Sequence, residues 1–287
     1  MYKLILQGPA LSEAAADDLA RQLRGRLRPR RGFVLVELEQ MPDRATLQRL
    51  RASHDFDINL LPPAFDPAAV RLVISDMDST LISIECVDEI ADFAGLKPQV
   101  AAITEAAMRG ELDFAQSLRK RVALLRGLPA ATLQRVYEER LRLNPGAETL
   151  LAGLRRQGIR FALVSGGFTF FTQRLQQRLQ LDFTLANELA IDAGQRLTGT
   201  IEGDIVDADA KAAFLQDLCK RLGIGLAQAV AIGDGANDLK MLDLAGLGVA
   251  YHAKPAVQQQ ADCAINHCGL EGLLGLLEIE PASEHDV

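Results

Sequence analysis

The stretch Arg71 to Leu81, reading Arg-Leu-Val-Ile-Ser-Asp-Met-Asp-Ser-Thr-Leu, constrains this chain more than any other. Leu72, Val73 and Ile74 form the short apolar run that a strand buried on both faces requires, and Asp76, Asp78, Ser79 and Thr80 follow at its C-terminal edge. Two carboxylates so placed repel each other near neutral pH and call for a cation or a shared proton. The competing reading is a turn with a helix N-cap, because Asp, Ser and Thr favour both.

The 287 residues suffice for one large unit and a smaller one, and a 48% hydrophobic content is ample for a packed core. With 31 basic against 38 acidic side chains, a net charge of -7, neither nucleic acid nor an anionic membrane is expected as a partner. Cys86, Cys219, Cys263 and Cys268 lack zinc-like spacing and read as reduced thiols. The N-terminal apolar run is too short for a signal peptide, and no later run approaches the roughly 20 residues of a membrane span. A cytoplasmic protein is expected. A homodimer is compatible with the sequence, which does not decide the oligomeric state.

Strands are expected over Lys3 to Gln7, Gly32 to Leu38 and Phe56 to Leu60, with helices over Ser12 to Leu27 and Asp43 to Ser53. Leu61-Pro62-Pro63-Ala64-Phe65-Asp66-Pro67 then marks a linker. This predicts a small ACT-like or ferredoxin-like α+β unit over residues 1–67 and a larger unit over 68–287. The basic run Arg21, Arg24, Arg26, Arg28, Arg30 and Arg31 reads as a solvated helix face and turn. Residues 84–143 read as helical throughout, broken at Gly95, Gly110 and Gly127, and so placed they form a lid over the C-terminal edge of the sheet. From Asn144 onward strands and helices alternate, the signature of a parallel sheet. The tail from Glu278 is polar and expected to fray.

Four motifs occur in order: Asp76-x-Asp78-x-Thr80 after a strand, Ser165-Gly166-Gly167 after another, Lys211 opening a helix, and Gly233-Asp234-Gly235-Ala236-Asn237-Asp238 after a third strand. Each has a bland counterpart, whether tight turn, solvated lysine or N-capped helix. Together they resemble the haloacid dehalogenase superfamily of aspartyl-phosphate phosphatases, from about Arg71 to the C-terminal end. The resemblance implies an α/β class with a Rossmann-like parallel sheet and a helical cap inserted after the first strand.

It also implies chemistry. A phosphate monoester repels nucleophiles and has a poor leaving group, so an enzyme must neutralise, align and protonate it. Asp76 is the candidate nucleophile and Asp78 the candidate general acid and base. Mg²⁺, a hard cation that keeps several waters, is the expected cofactor, with Asp76, the backbone carbonyl of Asp78 and Asp234 as ligands and Asp238 as their support. Ser165 and Gly166 are expected to hold phosphate oxygens and Lys211 to neutralise the pentavalent state.

A closer resemblance, to the phosphoserine phosphatase family, rests on Asp76-Met-Asp-Ser-Thr-Leu-Ile-x-x-Glu85-Cys-Val-Asp-Glu-Ile-Ala, Met108-Arg-Gly-Glu-Leu-Asp-Phe114, Ser117-Leu-Arg-x-Arg121-Val, Val164-Ser-Gly-Gly-Phe168-Thr and Gly248-Val-Ala-Tyr-His-Ala-Lys-Pro255. It implies a small-molecule substrate, phosphoserine, with Glu85 for its ammonium, Arg121 for its carboxylate, Met108 and Phe114 as apolar walls, and Asn237 in the binding set. Taken alone, Glu85 is an ordinary helix-start acid and Arg121 one of three solvated bases. Two other readings stay open: a phosphotransferase of the same fold with an alcohol acceptor such as homoserine, and an amino-acid sensor whose phosphatase site is vestigial.

Overall fold

A computed structural model describes residues 1–282, apart from the side chain of Met108. Its first sheet comprises β1 (Tyr2–Gln7), β2 (Arg26–Arg30), β3 (Phe33–Leu38) and β4 (Asp57–Leu60), ordered β2-β3-β1-β4 with every pair antiparallel. The helices Glu13–Gln22 and Arg44–Ala52 start at Ser12 and Asp43, whose side chains accept the N–H of Ala15 and of Thr46. They bury Leu19, Leu47 and Leu50 against Leu4, Leu6 and Val36.

The first of these helices is shorter than the Ser12 to Leu27 that its pattern predicts. It stops at Gln22, the chain turns through Arg24 at φ 53 and Gly25, and Arg26–Arg30 becomes an edge strand rather than a helix face. A Cβ at Gly25 would meet the side-chain methyl groups of Leu38 and Val36 at 2.5 Å, so glycine lets the chain pass close over β3. Arginines and a proline are what a protein uses to blunt a sheet edge, so the strand has the composition of a solvated turn.

The second sheet holds β5 (Leu72–Ser75), β6 (Arg160–Phe168), β7 (Phe183–Ile191), β8 (Leu197–Glu202), β9 (Ala229–Gly233), β10 (Leu247–Tyr251) and β11 (Cys263–Ile265), in the order β11-β10-β9-β5-β6-β7-β8. All its pairs are parallel except β7 with β8. β5 lies in the middle with Leu72, Val73 and Ile74 fully buried, as its unbroken apolar run requires. The chain leaves β5 for β6 on one side and later returns to β9 on the other. Beyond the C-terminal end of β5 there is therefore a crevice at a reversal of strand order, where open α/β sheets hold ligands.

Between β5 and β6 stands an all-helical cap of Cys86–Phe93, Lys97–Met108, Phe114–Leu124 and Ala131–Arg135, which runs on into Val136–Arg140. One end of it is sewn to the β7–β8 hairpin by backbone hydrogen bonds: Gly127 N–H to Leu197 O, Leu197 N–H to Leu128 O, and Ala130 N–H to Gln195 O.

The two sheets meet at β4 and β11. Asn59 donates to Ala264 O and accepts from Ala264 N–H, and the carboxylate of Asp57 accepts the N–H groups of Asn266, His267 and Cys268. Side chains of one sheet thus stand in for the missing neighbour of the other's edge strand. The tail is more ordered than its composition suggests: Glu278 pairs with Lys3, Ile279 is buried, and Arg156 donates to Glu280 O. Residues 283–287 of that expected fray lie outside the described residues.

Candidate active site

Asp76 follows β5 directly, and its N–H donates to Ile232 O of β9. Its Oδ1 accepts from Met77 N–H at 2.7 Å and from Lys211 Nζ at 2.8 Å. Lys211, on the helix Ala208–Leu222, is fully buried and also donates to Asp238 Oδ1 at 2.7 Å. The solvated-lysine reading is thereby overturned. Period alone could not reveal this, since the partners come from β5 and from the loop after β9.

Asp234 follows β9 at the same sheet edge and accepts from Thr80 Oγ1 at 2.7 Å. Oxygens of Asp76, Asp234 and Asp238 lie within 4.8 Å of one another. Both oxygens of Asp238 are already engaged, one by Lys211 Nζ and one by Gly235 N–H. A Cβ at Gly233 would sit 2.4 Å from the Asp238 carboxyl, so glycine lets that carboxyl fold back beneath the loop.

Asp78 points elsewhere. Its Oδ1 accepts from Cys86 N–H at 3.1 Å and its Oδ2 from Ser165 Oγ at 3.4 Å. Ser165 is fully buried and accepts Gly167 N–H at 2.7 Å. β6 runs through these residues to Phe168, and the next helix opens at Thr169.

Burial dominates the electrostatics. It raises the Asp76 carboxyl well above its ordinary range, with the Asp238 charge adding to the effect and Lys211 opposing it. Burial also raises Asp78, against the hydrogen bonding of Cys86, and lifts Asp234 to about 6. For Lys211 burial opposes the charge, but Asp76 and Asp238 outweigh it and hold the ammonium above its usual value. Four acids thus surround one cation. An all-oxygen, net negative cluster of this kind fits a divalent metal ion, and the Cys86 thiol beside Asp78 is kept protonated by burial.

Above the acids lies a cavity of about 150 Å³ lined by Asp76, Asp78, Glu85, Phe114, Arg121, Gly166, Asp234 and Asn237, together with Val87, Leu118, Gly167 and Phe168. Asp113 caps the cap helix Phe114–Leu124, which sends Phe114, Leu118 and Arg121 down one face. Arg119 and Lys120 remain exposed. Nε of Arg121 is buried with no hydrogen-bond partner. Glu85 stands at the rim and accepts from Ser79 Oγ at 2.7 Å; burial of its carboxyl and the Asp78 charge push it up to about 7. A Cβ on Gly166 would lie 2.7 Å from the Phe114 ring, so glycine admits the cap's aromatic against the loop. The structure therefore brings together every site residue named from the sequence except Met108, whose side chain lies outside those described.

The sequence reading does not single out Thr80, Ser79, Val87, Leu118 or Phe168 as site residues. The spacing Phe114, Leu118, Arg121 is the signal that indicates Leu118; Ser79 and Thr80 are visible only as part of a motif. A larger cleft, about 730 Å³ between the two sheets, touches none of this chemistry.

A buried acid cluster, a lysine and a serine-glycine loop at the C-terminal edge of a capped parallel sheet are the parts of a phosphoryl-handling hydrolase. Residues 73–243 match the sequence model of the haloacid dehalogenase-like hydrolases. The chain is 51% identical to a phosphoserine phosphatase of Polaromonas sp. strain JS666 over 81% of its own length and all of the relative's. Among solved structures, a haloacid dehalogenase family hydrolase from Salmonella enterica serovar Typhi superposes with a TM-score of 0.87 at 34% identity, covering 97% of this chain and 99% of that one. A probable phosphoserine phosphatase from Vibrio cholerae gives 0.83 at 36%, covering 96% and 86%. The chain belongs to the haloacid dehalogenase-like hydrolases, and within them to the phosphoserine phosphatase family.

Proposed function

We propose that the chain hydrolyses O-phospho-L-serine to L-serine and phosphate by way of a phosphoryl group carried on Asp76, the last step of a serine synthesis in the cytoplasm. The observation that carries the substrate half is the cap wall: a guanidinium with a buried, unpartnered N–H and a carboxylate at the rim face one small cavity over the acid cluster. A buried donor without a partner is costly, and a bidentate carboxylate would relieve it. Glu85 supplies the opposite charge for an ammonium, and Phe114, Leu118 and Val87 cover the short carbon chain.

For the chemistry, Asp76 is aimed by Met77 N–H and Lys211, and attacks phosphorus; Asp78, which burial helps to keep protonated, gives its proton to the leaving serine oxygen. Asp78 then takes a proton from the water that cleaves the acyl phosphate. Ser165 Oγ–H and the N–H groups of its loop hold phosphate oxygens while Lys211 balances the charge that grows on them. Mg²⁺, held by Asp76, Asp234 and the Asp78 carbonyl, would supply further charge neutralisation and alignment when bound. The full use of both Asp238 oxygens supports its reading as a brace for Lys211 and the Gly235 loop rather than a ligand. Residues 1–67 are taken as a separate small unit ahead of the phosphatase unit 68–287.

The test is phosphate release over a panel of phosphorylated amino acids and sugars, with and without Mg²⁺, with homoserine offered as an acceptor. Preference for phosphoserine, dependence on Mg²⁺ and no phosphohomoserine are expected. Equal rates across the panel would remove the substrate assignment.

A further inference from the structure

The ladder between β6 and β7 is interrupted. Val164 stands opposite Leu185 and Phe168 opposite Asn187, so Ser165, Gly166 and Gly167 together face Ala186 alone and bulge from the sheet. A bulge deprives backbone groups of their strand partners, and a buried carbonyl without one is costly. Asn187 repairs this one. Its Nδ2 donates to Gly166 O at 2.8 Å, and its Oδ1 accepts Val206 N–H at 2.8 Å. The side chain is buried, and its amide carries both the donor that the carbonyl needs and the acceptor that the N–H needs.

Each bond leads to a different part of the cleft. Gly166 C=O and Gly167 N–H belong to one planar peptide, so holding the oxygen aims the N–H, which donates to Ser165 Oγ at 2.7 Å. That turns the serine proton toward the cleft, where Asp78 Oδ2 accepts it at 3.4 Å. Val206 precedes Asp207, which caps the helix Ala208–Leu222 through Ala210 N–H and whose carbonyl accepts Lys211 N–H. We propose that Asn187 is a positioning residue: it fixes the serine-glycine loop and the lysine-bearing helix relative to each other, and so governs turnover without touching substrate. This rests on the phosphoryl-transfer reading of the cleft but not on which alcohol is esterified.

The experiment compares Asn187→Ala and Asn187→Asp with the parent enzyme on p-nitrophenyl phosphate and on phosphoserine, with Mg²⁺, well below each melting midpoint. Both variants are expected to lose about 10- to 100-fold in kcat, the usual cost of removing a group that orients a reacting one, with KM moving less than about threefold. A carboxylate at position 187 could still accept from Val206 but could not donate to Gly166, so the loss in Asn187→Asp isolates the loop contact. A folded Asn187→Asp enzyme with kcat within about twofold of the parent, whatever its melting temperature, overturns the proposal. Should neither variant fold, hydrogen exchange on the parent decides: the Gly167 and Val206 amides should slow together when orthovanadate binds, and independent behaviour overturns it. An enzyme that hydrolyses the aryl ester but spares phosphoserine would refute the substrate assignment and leave the test of Asn187 intact.

Discussion

Asp57, where the two sheets meet, and Asp76, at the centre of the cleft, are 3% and 5% exposed, and a count of buried charges would rank them together. Their surroundings differ in kind. Asp57 is met by three backbone N–H groups that accept its charge as it stands. Asp76 has one lysine and one N–H, and shares its space with Asp234 and Asp238. A carboxylate whose neighbours already complete it serves as a joint, whereas one whose neighbours leave it short of positive charge is prepared for something that arrives from outside. Burial alone does not mark a functional acid.

That contrast can be broken most directly by making the same change at both places. Asp76→Asn should lower phosphate release by more than about a thousandfold, since the attacking oxygen is gone. Its effect on stability has the opposite sign. A carboxyl whose folded pKa is raised destabilises the ionised protein, the deficit growing as pH climbs past the unfolded value, so without divalent ions at neutral pH the Asp76→Asn variant should melt at or above the parent. Asp57→Asn should do the reverse: activity per folded molecule is retained while about 3 kcal/mol of stability is lost, because an amide cannot accept all three N–H groups. Thermal melting and kcat measured side by side decide both, and a melting point above the parent's for Asp57→Asn would erase the distinction.

Smaller effects sharpen the cleft side. Arg121→Ala should reduce kcat/KM for phosphoserine by about 100-fold while changing that for an aryl phosphate, which has no carboxylate, by little. Equal losses would take Arg121 out of recognition. Glu85, raised to about 7, is neutral below that pH and charged above it, so KM for phosphoserine should fall severalfold as pH rises through the neutral range. The aryl ester should show no such fall, and Glu85→Gln should abolish it; a fall that persists in the variant would assign the titration elsewhere.

The parallel core, the cap and the acid motifs are legible because each rests on local pattern: unbroken apolar runs for buried strands, helical spacing through residues 84–143, and acids directly after strands. β2 is not, because an edge strand carrying Arg26, Arg28, Pro29 and Arg30 resembles the turn that it replaces. Lys211 taken alone reads as solvated, because its two partners lie far away in sequence, and only the family resemblance marks it as a site residue. Asn187 gives no sign at all: its task exists only once β6 bulges, and nothing local to Leu185-Ala186-Asn187-Glu188 announces that. Asp57 escapes notice for the same reason, since its three donors sit about two hundred residues downstream.

The seam between residues 127–130 and the turn 195–197 bears on how anything enters the cleft. Raising the cap bodily would break three main-chain hydrogen bonds and leave Gly127, Leu197 and Ala130 to find water instead. Tilting about that seam breaks none of them. The cap is therefore tethered in two places, along this seam and at the paired linkers where Ile82 meets Leu143, and any separation of cap from sheet is constrained by both.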